Sequence, residues 1–248
     1  MTNRPVLPSI ALSSFMSIPL FLLFLLIPQT TALNRYSCQY PTRNPLSGCP
    51  SNTLVVGPTA EFKTIQSAIL SLPHNNSPYT ILILPGNYTE QVNVTRAGPV
   101  TLLGQTALPT NLTHNTVNVI WHQATGTATT GTLDNVFTST LTIAPTLNAS
   151  LTGSGPTGNT VPAGTPFGNS DFRAYNLNFI NDYLPYTAGP SLALSMGYAN
   201  GGFYYCGFYS YQDTVRIMSL LLSPPKNSYT GDFANQKPPC VDLCGQTR

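Results

Sequence analysis

Residues Gly201–Thr214 read GGFYYCGFYSYQDT, and this stretch indicates the fold of the chain. Aromatic residues, one cysteine and small residues fill it without a proline, which is typical of a β-strand. Its polar end, Gln212-Asp213-Thr214, is typical of a turn. Because strand residues alternate between two faces, we expect about half of the rings to lie in the core.

Similar β-rich runs recur along the chain, each bounded by Gly, Pro, Asn or Thr. The predicted strands are Tyr79–Leu84, Gln91–Val94, Val100–Leu103, Val117–Trp121, Thr138–Ile143, Phe172–Ile180, Ser191–Met196 and Phe203–Tyr211. One helix is predicted over Thr64–Leu72 from the spacing of its apolar residues, and Pro73 ends it. No later segment of ten or more residues has helical periodicity, so helical crossovers and a doubly wound α/β sheet are not expected.

Two all-β folds remain open from these patterns. One is a sandwich or barrel of antiparallel strands. The other is a right-handed parallel β-helix, which stacks short strands in rungs and buries one face of each strand. The early helix favours the β-helix, because a solenoid needs a cap at its end. The Thr- and Gly-rich stretch Ala107–Gly168 is interpreted as rungs with long loops.

The composition excludes several classes of protein. The 248 residues include 10 Lys+Arg and 8 Asp+Glu, and the charged fraction of 7% compares with about 25% in an average globular protein. A formal net charge of +2 is too small for a nucleic-acid binder that follows phosphates, so no nucleic-acid partner is expected. Coiled coils are excluded by composition, and charge-driven disorder is excluded by 13 Tyr and 11 Phe.

Residues 1–32 have the order of a secretory signal peptide. Arg4 precedes the apolar run Ile10–Ile27, and small residues precede a cleavage position after Ala32. About 18 apolar residues also just span a bilayer, which leaves a membrane anchor as the alternative. Pro19 and the cleavable flank favour the signal peptide. We therefore expect a secreted protein with no stable membrane partner after cleavage.

The cysteines and glycosylation motifs agree with secretion. Residues 33–56 form an N-terminal extension in which Cys38 and Cys49 predict a small disulfide loop. Cys206 is expected to be buried, and Cys240 and Cys244 could pair with each other. Five sequons predict a glycoprotein. Their asparagines are Asn75, Asn87, Asn93, Asn111 and Asn148.

Few groups can carry chemistry in this chain. No cluster of Asp, Glu, His or Cys has the spacing of a metal site, so neither a metal nor a cofactor is expected. The nearest match to a serine nucleophile elbow, Gly189–Ala193, has Pro190 before its serine, which argues against one. His122 is interpreted as a strand-end residue. Two carboxylates on neighbouring strands could still act on a glycosidic bond.

Five sequence blocks, in order, resemble the pectinesterase family. In Gly201–Thr214, an aromatic strand with a cysteine leads into Tyr-Gln-Asp-Thr. The other four blocks are Phe62–Ile69, Leu84–Glu90, Val100–Gly104 and Phe172–Phe179. The resemblance covers about Gly57–Val215, which we take as a partial catalytic domain over 57–215. It implies a single-stranded, right-handed, pectin-lyase-like parallel β-helix and hydrolysis of the methyl esters of pectin.

The resemblance also assigns roles to individual residues. Asp213 takes the position of the general acid/base, and Gln212 that of a glutamine which holds the oxyanion. Asp232 is a partial match to the nucleophile. Tyr209 and Tyr211 are candidates for binding sugar rings, because they share a face with Asp213. Pro190 stands where the family has a second oxyanion glutamine.

The tail Arg216–Arg248 departs from the family pattern. It contains Pro224-Pro225 and lacks the family's Gly-Arg-Pro-Trp block. Paired prolines do not fit a central strand, so we expect a truncated β-helix, incomplete at its C-terminal end, with a poorly ordered tail.

Two functional hypotheses follow from the resemblance. The first is a monomeric, extracellular or cell-wall esterase that acts on methyl-esterified homogalacturonan. The second is a catalytically inactive pectin-binding β-helix that lacks the nucleophile. A galacturonan hydrolase or lyase on the same fold is less favoured, because the eight carboxylates are scattered.

Overall fold

The computed structural model describes residues 34–127, 134–150 and 163–218. Thirteen strands lie in these ranges, and every pair of neighbouring strands is parallel. The strands are β1 (Thr53–Val56), β2 (Tyr79–Ile83), β3 (Gly86–Thr89), β4 (Val92–Val94), β5 (Val100–Gly104), β6 (Val117–Trp121), β7 (Leu141–Ile143), β8 (Phe172–Tyr175), β9 (Asn178–Asn181), β10 (Leu194–Gly197), β11 (Gly201–Tyr204), β12 (Gly207–Tyr209) and β13 (Val215–Met218).

The strands stack into three sheets. Sheet A has the order β1-β2-β5-β8-β11, sheet B the order β3-β6-β9-β12, and sheet C the order β4-β7-β10-β13. Each turn of the chain therefore adds one strand to each sheet. This confirms the predicted right-handed parallel β-helix, and the antiparallel sandwich or barrel is wrong.

The core lies inside the coil, where side chains from successive rungs stack in register. In sheet A, Ile81 lies opposite Leu102, and Ala174 lies opposite Phe203 on later rungs. In sheet B, the rings of Phe179 and Phe208 stack with centroids 5.6 Å apart. Burying each large apolar side chain contributes about 1.5–3 kcal/mol, so the stacked rows supply most of the stability.

Helix α2 (Ile65–Leu70) packs against the first rungs of the coil. Thr64 caps it, because its hydroxyl accepts a hydrogen bond from the Ser67 amide at 3.1 Å. Its apolar face, which includes Ile65 and Ala68, is fully buried. The helix was predicted over Thr64–Leu72, and its observed bounds lie inside that range.

Two predicted strands are each divided between two sheets. Phe172–Ile180 forms β8 in sheet A and β9 in sheet B, and Asn176 between them has a φ of 56°. Tyr205, with a φ of 54°, separates β11 from β12 in the same way. A left-handed residue turns the chain sharply from one sheet to the next. The buried positions change phase at each turn, from Phe172 and Ala174 to Leu177 and Phe179, and a single predicted strand overlooks this change.

Asparagines stack along the outer face of sheet B. The amide of Asn118 donates to Oδ1 of Asn87 at 2.8 Å, and the amide of Asn178 donates to Oδ1 of Asn118 at 2.9 Å. The amide of Asn115 in turn donates to Oδ1 of Asn178 at 3.0 Å. The amide groups of these side chains therefore serve as hydrogen-bond donors and acceptors for one another on successive rungs.

Residues 34–52, which we call the N-terminal module, pack on the outer face of sheet A. The module contains α1 (Arg35–Gln39) and the disulfide between Cys38 and Cys49, which confirms the predicted pairing. Cys38 is fully buried against Leu82 and Leu103 of sheet A.

Other elements connect the rungs or lie beside them. They are α3 (Leu147–Ser150) and four 3₁₀ helices, Leu112–His114, Thr125–Thr127, Asn135–Thr138 and Tyr186–Ala188. Cys206 is buried, as predicted. Strand β13 carries the coil to Met218, three residues beyond the predicted limit of Val215.

Several predicted features fall outside the described residues. They are the signal peptide, the pair Cys240 and Cys244, and residues 219–248 of the tail. Within the described ranges, no helix is both long enough and apolar enough to span a membrane.

Candidate functional site

Three of the four connections from sheet B to sheet C in the described part of the chain lie above one another on successive rungs. They follow β6, β9 and β12, and their described residues are 122–127 with 134–140, 182–193 and 210–214. Because the strands are parallel and in register, all three connections meet at one corner of the coil, which we call the B–C corner. Gln212 and Asp213 lie in the third connection.

Asp213 is exposed at this corner, two residues before β13. Its φ of 54° lies in the left-handed region, which aspartate tolerates better than most residues. The Nδ2 atom of Asn135 donates a hydrogen bond to Asp213 Oδ2 at 3.3 Å. The backbone of the following residue is held by a hydrogen bond, because the Thr214 carbonyl accepts from the Ala193 amide at 3.0 Å.

Gln212 is exposed and pairs through its backbone with the connection below. Its carbonyl accepts a hydrogen bond from the Ser191 amide at 3.2 Å. The hydroxyls of Ser191 and Ser210 lie 2.9 Å apart, which adds a side-chain link between the same two connections. The Gln212 side chain is therefore presented to solvent on a fixed backbone.

The 3₁₀ helix Asn135–Thr138 holds Asn135 in place. Asp134 caps it, because its Oδ1 accepts from the Val136 amide at 3.0 Å. At the other end, the Thr138 hydroxyl donates to the Asn135 carbonyl at 2.7 Å and accepts from the Leu192 amide at 3.0 Å. The first and second connections are thereby joined.

A buried asparagine supports the corner from inside. The Nδ2 atom of Asn181, at the end of β9, lies within hydrogen-bond distance of the carbonyls of Thr138 (2.7 Å), Gln123 (2.9 Å) and Leu192 (3.1 Å). Only 1% of this residue is exposed. Asn181 therefore fixes the backbone of two connections, and it was not predicted as part of the site.

The sequence of the chain is similar to those of curated pectinesterases. The chain is 28% identical over 173 residues to pectinesterase A of Emericella nidulans, which covers 70% of the chain and 44% of the relative. It is 32% identical over 176 residues to the probable pectinesterase A of Aspergillus niger, which covers 71% and 44%. The pectin methylesterase crystal structure from Aspergillus niger, in deglycosylated form, aligns with a TM-score of 0.51 and 29% identity over 68% of this chain and 46% of that one.

The chain belongs to the pectinesterase family. It spans less than half the length of the curated pectinesterases that it matches. No protein-family model matches the sequence. A solved pectin methylesterase in complex with a hexasaccharide shares the fold, with a TM-score of 0.50 and 22% identity over 66% of this chain and 45% of that one.

In this member of the pectinesterase family, the structure brings together only some of the predicted site residues. Gln212 and Asp213 lie side by side at the B–C corner, whereas Asp232 lies outside the described residues. Tyr211 is 50% exposed beside Gln212. Tyr209 is half-buried, and its ring lies against the Gly207 backbone, where a methyl group would come within 2.5 Å of Tyr209 Cε2.

Two further residues at this corner were singled out by the sequence. The carbonyl of Pro190 accepts from the Thr125 amide at 2.9 Å, so this proline lies in the corner but offers no side-chain donor. His122 directly follows β6, as interpreted, and forms an ion pair with Asp182 on the next rung. Within the described ranges, no group of three or more His, Cys, Asp or Glu could hold a metal ion.

Asn135 is the residue of this site that the sequence did not reveal. It belongs to no family motif recognised in the chain, and 78 residues separate it from Asp213. Asp134, the residue before it, can be recognised in the sequence as a helix cap. A cap marks the start of a helix but does not show which residues that helix contacts. The arrangement offers an exposed carboxylate with amide groups beside it, which suits proton transfer and the binding of a developing negative charge.

Proposed function

We propose that this protein hydrolyses the methyl esters of homogalacturonan at the B–C corner, outside the cell or in the cell wall. The observation that carries the proposal is Asp213, which lies exposed beside Gln212 with its carboxylate bonded to Asn135. Family membership supports the reaction class. The bound hexasaccharide of a solved pectin methylesterase supports a sugar-chain ligand.

Asp213 is proposed to move the proton in both halves of the reaction. A carboxylate nucleophile attacks the ester carbonyl, and the bond to the methoxy oxygen breaks as Asp213 protonates that oxygen to release methanol. Asp213 then takes a proton from water, which attacks the acyl-enzyme and frees the acid. General acid/base catalysis of this kind contributes about 10²–10⁴ in rate.

Gln212 and Asp232 are proposed for the two other roles. Gln212 is exposed next to Asp213, and its amide can donate to the oxyanion, an interaction worth about 2.7–4 kcal/mol in known hydrolases. Asp232, the partial match to the family nucleophile, is assigned from the sequence alone. The exposed ring of Tyr211 is proposed to bind the sugar beside the scissile ester. The half-buried Tyr209 is proposed to contribute to the same sugar-binding surface.

Methanol release from methylated pectin by the purified protein tests this function. Asp213→Ala is expected to lower release by about 10²–10⁴. Asp171→Asn is the control, because it also removes the charge of an aspartate. Asp171 directly precedes β8 in sheet A, away from the B–C corner, and pairs with Arg173. Equal release by the wild type and Asp213→Ala would remove Asp213 from the mechanism.

A second candidate is a catalytically inactive protein that binds pectin. It is favoured by Pro190, which has no side-chain donor where the family has an oxyanion glutamine. Pectin pull-down without methanol release from either the wild type or Asp213→Ala would support this candidate. The same result would reject the esterase.

A further inference from the structure

The N-terminal module carries positive charge without any neighbouring acid in its sequence. Between residues 34 and 60, the chain contains Arg35 and Arg43 but no Asp or Glu. In the described part of the chain, the ion pairs join other residues, His122 with Asp182 and Arg173 with Asp171. Neither arginine is therefore in an ion pair in the described part of the chain, and the nearest acid along the chain is Glu61, which borders a hollow with Asn44 and Leu46.

Arg35 is held by neutral groups only. Its guanidinium lies 4.1 Å from the ring centroid of Tyr36 and 4.8 Å from that of Tyr175. It also donates to the Tyr36 hydroxyl at 2.9 Å and to Gln39 Oε1 at 3.0 Å. These contacts orient the guanidinium but leave its full charge available to an anion.

Two exposed tyrosines lie on the module, and Arg35 stacks on one of them, Tyr36. Tyr36 in α1 is 49% exposed and Tyr40, which caps α1, is 55% exposed. Residues four apart on a helix lie on one face, so the two rings border the same surface. They line a shallow cavity of about 550 Å³. Its lining residues are Tyr36, Ser37, Tyr40, Thr42, Ser47 and Gly48.

The module is fixed in shape before any ligand binds. The Cys38–Cys49 disulfide closes it, and Cys38 is buried against sheet A. Gly48 has a φ of 78°, and a Cβ there would lie 2.8 Å from Cβ of Ser37, so the chain passes too closely for a side chain. A rigid surface of rings and hydroxyls loses little entropy on binding.

We propose that the N-terminal module binds de-esterified galacturonan, at a site separate from the B–C corner. Tyrosine rings and hydroxyls suit a sugar chain, and Arg35, which stacks on Tyr36 outside the described ion pairs, suits its free carboxylates. The module covers sheet A, whereas Asp213 lies where sheets B and C meet. The choice of galacturonan among acidic polysaccharides rests on the proposed function. A protein that binds its de-esterified product would stay on the polymer between reactions.

Isothermal titration calorimetry with oligogalacturonates tests this site, and the two oligomers are compared on Asp213→Ala, in which the proposed hydrolysis of the methyl ester is slowed. A de-esterified oligomer is expected to bind about tenfold more tightly than the same oligomer fully methyl-esterified, and added salt is expected to reduce this difference. Equal affinity for the two oligomers would overturn the proposal, because the arginines would then make no contribution to the binding of free carboxylates.

Matched variants locate the binding on the module. Tyr40→Ala is expected to weaken the Kd for the de-esterified oligomer about fivefold, and Tyr40→Phe is expected to retain the affinity, because the ring remains. Arg43→Gln is expected to weaken it about threefold, whereas Lys63→Gln, which removes the same charge from an exposed site elsewhere, is not. Equal losses in Arg43→Gln and Lys63→Gln, or an unchanged Kd in Tyr40→Ala, would overturn the proposal.

The same titration on Asp213→Ala separates the two sites. Unchanged affinity for the de-esterified oligomer in this variant supports a site away from the B–C corner. An affinity that Asp213→Ala abolishes and Tyr40→Ala leaves intact would assign the binding to the corner and reject the module. Failure of the proposed esterase is recognised independently, as absent methanol release with this binding retained.

Discussion

Asn135 donates a hydrogen bond to Asp213 across 3.3 Å, although the two residues belong to connections on different rungs. The amide occupies one oxygen of the carboxylate, Oδ2, and thereby limits its rotation. The Asn135 backbone is itself held by Thr138, through a 2.7 Å hydrogen bond to its carbonyl. The orientation of Asp213 thus depends on a residue two rungs below it.

Replacement of Asn135 by alanine is expected to slow methanol release about fivefold. The lost hydrogen bond is long and exposed, so about 1 kcal/mol is an appropriate scale. As a positioning residue, Asn135 should affect kcat more than KM, and stability should change by less than about 0.5 kcal/mol. Asn135→Asp, which places a carboxylate against Asp213, should be slower than Asn135→Ala. Equal rates in all three proteins would show that the contact has no catalytic effect.

The asparagine stack on sheet B makes a separate prediction about stability. Asn178 donates to Asn118 and accepts from Asn115, so Asn178→Ala removes two hydrogen bonds. Asn118 Oδ1 loses its donor, whereas the Asn115 amide keeps its bond to the Tyr205 carbonyl. A loss of about 1–3 kcal/mol in the free energy of unfolding is expected. Asn87→Ala, at the exposed end of the stack, removes one bond and should cost less than about 1 kcal/mol. Urea denaturation measures both, and equal losses would contradict the stacking account.

The disulfide of the N-terminal module should stabilise the fold as well as shape the module. Its cysteines are 11 residues apart, and replacing both, as Cys38→Ala with Cys49→Ala, is expected to cost about 2–4 kcal/mol. Most of this loss should appear as a lower urea midpoint. A reduced wild-type protein should show a similarly lowered midpoint, whereas an unchanged midpoint in both would mean that the disulfide does not stabilise the fold.

Local patterns predicted several elements correctly. Strand β6 has the predicted bounds, Val117–Trp121, because a run of β-branched residues lies between polar turns. The helix before Pro73 was predicted because its apolar spacing and its stop signal agree. The Cys38–Cys49 pair was predicted because the two cysteines lie close together in a chain expected in an oxidising compartment, and the observed disulfide lies in the predicted extension.

Other elements depend on stacking between rungs, which no local pattern specifies. Strands β1, β3 and β13 were missed. The run Thr138–Ile143 is a strand only from Leu141, because Thr138 ends a 3₁₀ helix instead. The break at Asn176 needs a left-handed residue inside an apparently continuous strand. The pairing of Asn135 with Asp213 requires the register of whole rungs. The family motif gave Gln212 and Asp213, but it did not indicate what surrounds them.

Glu90 links the start of α2 to the pH dependence of stability. Its two carboxylate oxygens accept from the Ile65 and Gln66 amides, each at 2.8 Å. Burial raises the pKa of Glu90 above its ordinary value of 4.5, and the two backbone hydrogen bonds only partly oppose this shift. The folded protein therefore binds the Glu90 proton more tightly than the unfolded chain does.

This raised pKa determines the sign of the effect. The contribution of Glu90 to stability is fully present below the unfolded pKa, near 4.5, and it is lost as the pH rises through the higher folded pKa. Glu90→Gln has no such titration, but its amide nitrogen cannot accept a hydrogen bond, so one helix amide loses its partner at every pH. The wild type should therefore exceed Glu90→Gln in stability most at low pH, and the difference should shrink as the pH rises above 4.5. Urea denaturation at a series of pH values measures this, with the exposed Glu61→Gln as the charge-matched control. Parallel stability curves for the wild type and Glu90→Gln would show that burial does not govern the titration of Glu90.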